Sequence, residues 1–90
     1  MKNEFQNKLI YRSWHRGTKE LDLILGNFIT ENISKMTAEE INDFQILLGS
    51  EDPDIYKWIV QFESPNNDNL DPIIIKIREY LKANQINVLS

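Results

Sequence analysis

Apolar residues recur along the chain at the spacing of a helix. In one stretch, four of them stand at positions i, i+3, i+4 and i+7: Leu21, Ile24, Leu25 and Phe28. This spacing places the side chains on one face of an α-helix. No stretch alternates apolar and polar residues as a half-exposed strand does. The pattern therefore predicts an all-α fold.

Residues that start and end helices divide the chain into five predicted helices. The first runs from about Phe5 to Arg16, and Gly17 ends it, because glycine adopts a left-handed backbone at the least steric cost. The other four start at residues that cap helices well: Thr18, Thr37, Asp52 and Asp71. Proline follows each of the two aspartates, and the first helical position tolerates proline. The Ser-Pro-Asn-Asn stretch predicts a loop over residues 63–69.

Each predicted helix carries an apolar face that we expect to be buried. The faces are Phe5, Leu9 and Ile10; Leu21, Ile24, Leu25, Phe28, Ile29 and Ile33; Ile41, Phe44, Leu47 and Leu48; Ile55, Trp58, Ile59 and Phe62; and Ile73, Ile74, Ile77, Tyr80 and Leu81. Together they predict a compact bundle of five short helices, one domain over residues 1–90, with a frayed tail at about 85–90.

Two local patterns add detail to this bundle. Thr37 and Glu40 have the spacing of a capping box, in which each side chain accepts a hydrogen bond from the other's backbone N–H. Gly26 lies inside the second helix, where glycine costs about 1 kcal/mol relative to alanine. We therefore expect a close helix crossing or a bend at Gly26, and we expect Gly49 to end the third helix.

Composition favours a small interaction module over an enzyme. A chain of 90 residues buries roughly 60–65% of the surface that its unfolded form exposes, which leaves little wall for a catalytic cleft. The apolar fraction of 41% and the charged fraction of 27% are ordinary for a folded domain. The absence of cysteine excludes disulfides, thiolate nucleophiles and zinc sites built on sulfur.

The sequence gives no sign of export or membrane insertion. Its longest apolar run, Ile73–Ile75, is far shorter than the roughly 20 residues of a membrane span. The first residues lack both the apolar core of a signal peptide and the Arg- and Ser-rich character of a transit peptide. We expect a cytoplasmic protein without membrane insertion.

Charge is unevenly distributed along the chain. Residues 1–20 hold five basic and two acidic residues, a net +3, whereas the remaining seventy hold five basic and twelve acidic residues, a net −7. The overall acidity argues against nucleic-acid binding, which needs a broad basic face. The basic N-terminal end is a candidate docking surface for a negatively charged partner. We expect the free chain to be a monomer.

The Arg16-Gly17-x-x-Glu20 segment has two interpretations. In the structural one, Gly17 closes a helix, Glu20 complements the next helix start and Arg16 is a solvated cation at the end of a helix. In the functional one, the tight turn presents a guanidinium and a carboxylate to a partner. Arg16 would then bind a carboxylate or phosphate through two parallel hydrogen bonds, and Arg16→Ala would leave melting nearly unchanged.

The remaining candidate groups have structural explanations. His15 is the only histidine, so the chain offers no second nitrogen ligand, and we predict no metal site. The carboxylates Glu39, Glu40 and Asp43 fit a solvated helix face better than an acid–base pair, which needs a pocket. The spacing of Trp58 is that of a core residue. We predict no catalytic residue.

The longest informative stretch runs from Arg12 to Phe28 and reads RSWHRGTKELDLILGNF. With Phe44-x-x-Leu47-Leu48, Asp52-Pro53-Asp54-Ile55 and Trp58, it resembles the SdhE family of FAD assembly factors, and most of all its alphaproteobacterial members. The resemblance covers residues 9–62. Thr18 replaces a methionine frequent in the family, and Ile55 stands where leucine is common. Residues 63–90 carry little of the signature, so the role of the last helix stays open.

The resemblance implies a function in flavoprotein assembly. Family members bind the flavoprotein subunit of succinate dehydrogenase, and in bacteria that of fumarate reductase, and promote covalent attachment of FAD to a histidine of that subunit. It implies a bacterial, cytoplasmic, non-catalytic factor that holds no cofactor stably and acts on the FAD of its partner. The contact residues implied by the motif are Arg16, Gly17 and Glu20, with Arg12, Trp14, His15 and Asp22 as neighbours.

Other classes of function remain open from the residues alone. A chorismate-mutase-like helical enzyme also uses Arg and Glu side chains, but it needs a long first helix, which Gly17 and Thr18 interrupt. A nucleic-acid binder could use the basic end with Tyr11 and Trp14, although the −7 balance of the remaining chain opposes it. A small helical protein-binding adaptor is the third alternative.

Overall fold

The computed structural model describes residues 4–65 and 69–84, which form five α-helices and one short 3-10 helix. The α-helices are α1 (Glu4–Trp14), α2 (Lys19–Asn32), α3 (Ala38–Leu48), α4 (Asp52–Ile59) and α5 (Asp71–Asn84). The 3-10 helix, Ile33–Lys35, continues directly from α2. The described ranges contain no strand, which confirms the all-α bundle of five short helices. The predicted frayed tail, 85–90, lies outside the described residues, as do residues 66–68 of the predicted loop.

Two helices end earlier than their sequence patterns predict. The first ends at Trp14 rather than Arg16, because the backbone N–H of Arg16 leaves the helical ladder and donates to Asp22 Oδ1 at 2.6 Å. The fourth ends at Ile59, because the backbone turns after it and Phe62 adopts a left-handed φ of 57°. Both differences arise from turns that the hydrophobic pattern does not describe.

One hydrophobic core joins all five helices. Its buried members are Leu9, Leu21, Ile24, Leu25, Phe28, Ile29, Ile33, Phe44, Leu47, Leu48, Ile55, Ile59, Leu70, Ile73, Ile74 and Ile77. Phe28 occupies a central place, since its ring stacks on Phe44 and meets Tyr80 edge-on. Most of the predicted faces are confirmed, with Ile10, Ile41, Trp58, Tyr80 and Leu81 partly buried against the core.

Two aromatic residues that we predicted to be buried are exposed. Phe5 is 47% exposed and lies in the first turn of α1. Phe62 is 69% exposed, and its ring lies 5.1 Å from the guanidinium carbon of Arg78. Arg78 in turn donates hydrogen bonds to the carbonyls of Trp58 and Glu63, which ties the end of α4 to α5.

Of the four predicted helix caps, Thr37 is confirmed and Thr18 is confirmed in position only, whereas Asp52 and Asp71 are the first residues inside their helices. In α3 the capping box is complete: Thr37 Oγ1 accepts from Glu40 N at 3.1 Å, and Glu40 Oε1 accepts from Thr37 N at 2.9 Å. Thr18 does occupy the cap position of α2, but its hydroxyl makes no cap hydrogen bond. Asp52 is the first residue within α4, and Glu51 holds the cap position. The Asp52 carboxylate is engaged elsewhere, by Arg16.

The close crossing predicted at Gly26 is confirmed. The indole ring of Trp14 lies against this glycine, and the Trp14 Nε1–H donates to Thr30 Oγ1 at 3.0 Å. The end of α1 is therefore fixed on the flank of α2, directly before the turn that carries the candidate site. Within the described ranges, no helix is long and apolar enough to cross a membrane.

Candidate partner-binding surface

The candidate site is built on the connection between α1 and α2, residues 15–18, which we call the Arg–Gly turn. Gly17 has a φ of +105°, a backbone conformation that L side chains rarely adopt. Apart from Gly17 itself and its two chain neighbours, no heavy atom of the described residues lies within 4 Å of a Cβ added at this position. Glycine is therefore required here by the backbone conformation and not by crowding, and the space around it is open to solvent.

The backbone of the turn is fixed by a carboxylate of α2. Arg16 N donates to Asp22 Oδ1 at 2.6 Å, and Asp22 N donates to Thr18 O at 2.9 Å within the first turn of α2. A carboxylate in the first turn is also favoured by the partial positive charge of a helix N-terminus. Asp22 therefore holds the turn against the start of α2. From the sequence, Asp22 was identified only as a neighbour of the contact residues, and this role was not predicted.

The guanidinium of Arg16 is bound within its own chain. Nε and Nη2 both donate to Asp52 Oδ1, at 3.0 and 2.7 Å. Nη1 donates to Leu48 O at 2.5 Å and Nη2 to Ser50 O at 3.0 Å. These bonds use four of the five N–H donors of an arginine. The interpretation of Arg16 as a solvated cation at a helix end is wrong.

The surroundings of Arg16 suit a positive charge. Leu48 is the last residue of α3, where the helix dipole places partial negative charge on the carbonyl groups. Asp52 begins α4, where a carboxylate is favoured by the opposite end of the dipole. The side chains of Arg16 and Asp52 are only 15% and 24% exposed, so water screens this pair less than a surface ion pair.

Glu20 is the exposed acidic group beside the turn. It is the second residue of α2 and, among the residues that the structure describes, it has no hydrogen-bond or ion-pair partner. A groove of about 380 Å³ adjoins it. The groove is lined by Thr18, Glu20 and Leu21 at the start of α2, by Asp52, Pro53, Tyr56 and Lys57 of α4, and by Gln61.

Sequence reasoning missed the α4 side of this groove. The Asp-Pro-Asp element marks the start of α4, but no local pattern relates Tyr56 or Lys57 to residue 20. The groove follows from the tertiary placement of α4 beside the start of α2. Its walls are mostly apolar, whereas Glu20 and Lys57 supply opposite charges.

The other candidate residues lie around the end of α1. The His15 ring stacks on Tyr11 with centroids 4.0 Å apart, and its Nδ1–H donates to Tyr11 O at 2.8 Å. Arg12 is exposed and has no side-chain partner among the described residues. Trp14, by contrast, is occupied by its contacts with Gly26 and Thr30. The turn thus groups Arg16, Gly17, Glu20 and Asp22, and leaves Trp14 in a packing role.

Of the acidic run on α3, only Glu39 lies on the solvated face that was predicted, whereas Glu40 and Asp43 are half-buried. Glu40 completes the capping box and pairs with Lys76 of α5. The hydrogen bond from Lys76, with that from the Thr37 backbone, lowers the pKa of Glu40 below its ordinary value. Glu39 is exposed. The described residues contain no group of three or more side chains placed to hold a metal ion.

Comparisons with known proteins identify one family. The sequence profile of the Sdh5 family, described as flavinator of succinate dehydrogenase, matches residues 7–81. The chain is 45% identical over 58 residues to the mitochondrial succinate dehydrogenase assembly factor 2 of Dictyostelium discoideum, which covers 64% of this chain and 41% of that protein. With the Arabidopsis thaliana protein of the same name, identity is 35% over 79 residues, 87% of this chain and 42% of the relative.

A bacterial relative matches over nearly its full length. The FAD assembly factor SdhE of Legionella pneumophila (strain Lens) is 34% identical over 71 residues, which are 79% of this chain and 89% of that protein. The chain thus spans less than half of the two mitochondrial relatives and most of the bacterial one. No solved structure matches the chain. From the profile match and the bacterial relative, the chain belongs to the family of flavinators of succinate dehydrogenase.

Proposed function

We propose that this chain binds the flavoprotein subunit of succinate dehydrogenase and promotes covalent attachment of FAD to it. The observation that carries the proposal is the family match over residues 7–81, which includes the Arg–Gly turn and the groove beside it. The names of the relatives agree, since they are described as assembly factors of succinate dehydrogenase or of FAD.

The Arg–Gly turn and Glu20 form the proposed contact surface. Gly17 is exposed and has open space where a side chain would stand, so a partner's backbone can approach the turn closely. Glu20 is exposed and has no partner among the described residues, which leaves its carboxylate free to accept hydrogen bonds from the flavoprotein. Arg12 and His15 extend this surface along the end of α1.

The proposed mechanism is conformational and non-catalytic. By binding one arrangement of the flavoprotein, the factor raises the population in which the flavin and its acceptor histidine are aligned. The covalent chemistry belongs to the partner and to its FAD. We further propose that the factor acts in the cytoplasm as a monomer that holds no cofactor stably, and that the flavoprotein of fumarate reductase is a second partner.

Reconstitution tests the function directly. The purified chain is mixed with its cognate apo-flavoprotein subunit, FAD and a dicarboxylate, and in-gel flavin fluorescence after denaturation reports covalent attachment. We expect faster or fuller attachment with the chain than without it. No complex and no gain with a competent flavoprotein would contradict the proposal. The fumarate reductase subunit, tested in parallel, decides the second partner.

A pair of matched variants locates the contact surface. Glu20 and Glu39 are both exposed and both stand at the second position of a helix, α2 and α3. Glu20→Gln and Glu39→Gln therefore make the same change of charge in the same helical setting. We expect Glu20→Gln to reduce attachment of FAD and Glu39→Gln to leave it unchanged. Equal activity of the two variants would place the contact elsewhere.

A further inference from the structure

We propose that Asp52 is a positioning residue for partner binding and that it acts through Arg16. The inference rests on the proposed function and concerns the same surface. It assigns the arginine of the motif a role inside this chain: Arg16 shapes the Arg–Gly turn, and Asp52 holds Arg16 in place. The partner then contacts Gly17 of the turn and Glu20 beside it.

The first support is that Arg16 is held both at its backbone and at its guanidinium group. Its backbone N–H is fixed by Asp22, and its guanidinium is fixed by Asp52 and by the carbonyls of Leu48 and Ser50. With four of five donors used internally, the guanidinium has little capacity left to bind a second carboxylate in parallel. Gly17 is the next residue along the chain, so the fixed position of Arg16 also restricts the backbone of Gly17.

The second support is that Asp52 has no helix-capping task. Glu51 occupies the cap position of α4, and Asp52 lies inside the first turn. One oxygen of its carboxylate accepts both hydrogen bonds from Arg16. Bonds between two charged groups are stronger than bonds to a neutral amide, so asparagine would hold the guanidinium less firmly.

The third support is that the same contact fixes the groove. Thr18 and Asp52 both line the groove, and the Arg16–Asp52 pair joins the turn that precedes α2 to the start of α4. A surface that is already in its binding conformation loses less entropy when the partner docks. Releasing Arg16 from Asp52 should therefore weaken binding of the partner.

The test compares Asp52→Asn with Asp54→Asn. Both aspartates lie in the first turn of α4, but Asp54 has no side-chain partner among the described residues, so it controls for the change of charge near the helix start. For each variant the dissociation constant for the apo-flavoprotein is measured by calorimetry. The rate of FAD attachment is followed as a function of factor concentration.

Positioning predicts a particular pattern in these data. Asp52→Asn should raise the dissociation constant and the half-saturating concentration about tenfold or more, while the rate at saturation changes less than twofold. Nuclear magnetic resonance of the free factor should show shifted Arg16 Nε–H and Gly17 amide signals in Asp52→Asn but not in Asp54→Asn. Asp52→Glu, which restores a carboxylate, should recover most of the affinity and keeps the test decisive if Asp52→Asn folds poorly.

The outcomes separate this inference from the function beneath it. If the wild-type chain binds the flavoprotein, and Asp52→Asn binds as tightly with unchanged Gly17 and Arg16 signals, the positioning role is overturned alone. A lower saturating rate with unchanged affinity would also overturn it. If the wild-type chain itself fails to bind, the proposed function falls, and the inference falls with it.

Discussion

The indole ring of Trp14 lies so close to Gly26 that a Cβ at position 26 would fall 2.2 Å from a ring carbon. Because real Cβ atoms do not approach other atoms so closely, the ring depends on a residue without a side chain at this point of α2. The contact fixes the last residue of α1, two positions before Arg16. It thereby connects the packing of two helices to the geometry of the candidate surface.

Gly26→Ala is expected to destabilise the protein. Alanine improves helix propensity by about 1 kcal/mol, but displacing the Trp14 ring costs about 1–3 kcal/mol and strains its bond to Thr30. The expected net loss is about 1 kcal/mol of unfolding free energy, measured by chemical denaturation. In a Trp14→Ala background the overlap is gone, and Gly26→Ala should become neutral or stabilising. Stabilisation by Gly26→Ala in the wild-type background would contradict the crossing.

Gly17→Ala should destabilise the protein for a different reason. The added methyl group meets no described residue other than its chain neighbours within 4 Å, but a φ of +105° strains any L side chain, at a cost of about 1–3 kcal/mol. Gly17→Asn should lose less, because asparagine tolerates a left-handed backbone better than alanine. Thermal melts of the two variants check this order. A Gly17→Ala variant as stable as the wild type would show that the turn adopts another conformation in solution.

Local rules account for much of the fold. The periodicity of apolar residues predicted the helices, and the capping box at Thr37 and the left-handed Gly17 followed from residue type and spacing alone. The prediction that Phe62 is buried was wrong, because Phe62 lies beyond the end of α4, where the chain turns and the ring covers Arg78. A periodic pattern alone does not show where a helix stops being helical.

The candidate site was less accessible to sequence reasoning. The family signature selected Arg16, Gly17 and Glu20, but the guanidinium partner, Asp52, is 36 positions away. Such a contact depends on how α3 and α4 pack against the Arg–Gly turn. An aspartate before proline is typically a helix cap, and this local rule led to the wrong prediction that Asp52 caps α4. For the contact between Trp14 and Gly26, the sequence predicted a close crossing or a bend at Gly26 but did not identify Trp14 as the residue that packs there.

Arg16→Ala is expected to lower stability, contrary to the expectation from the motif alone. The side chain is 15% exposed and its removal leaves the Asp52 carboxylate and two carbonyl groups without their charged donor. Hydrogen bonds to charged groups are worth about 1.5–3 kcal/mol each, and we expect a total loss of at least that size in urea denaturation. Arg16→Lys should recover only part, because an ammonium group cannot reproduce the planar array of donors.

Arg12→Ala serves as the matched control for this prediction. Arg12 lies four residues earlier, is exposed, and has no side-chain partner in the described ranges. Its removal should change the unfolding free energy by no more than about 0.5 kcal/mol. Equal and small effects of Arg12→Ala and Arg16→Ala on the unfolding free energy would mean that the internal hydrogen bonds of Arg16 contribute little to stability. The interpretation of Arg16 as a solvated cation would then be the better one.

Stability should depend on pH through Glu40. The hydrogen bond from Lys76 is the main cause of its lowered pKa, followed by that from the Thr37 backbone. A carboxyl whose pKa is lower in the folded than in the unfolded state stabilises the fold above its unfolded pKa, here about 4.5. This contribution is lost as the pH falls through the lower, folded value.

Glu40→Gln isolates the charged part of this effect. Glutamine can keep the backbone bond of the capping box, but it cannot form the ion pair with Lys76. We expect a lower melting temperature than that of the wild type at pH 7. The difference should narrow as the pH falls from about 4.5 through the lower pKa of the folded state, where the wild-type carboxyl also becomes neutral. Glu39→Gln, one residue away on the exposed surface, should show no such pH-dependent gap. A Glu40→Gln deficit that stayed constant from pH 7 to pH 3 would assign the loss to packing and not to the charge.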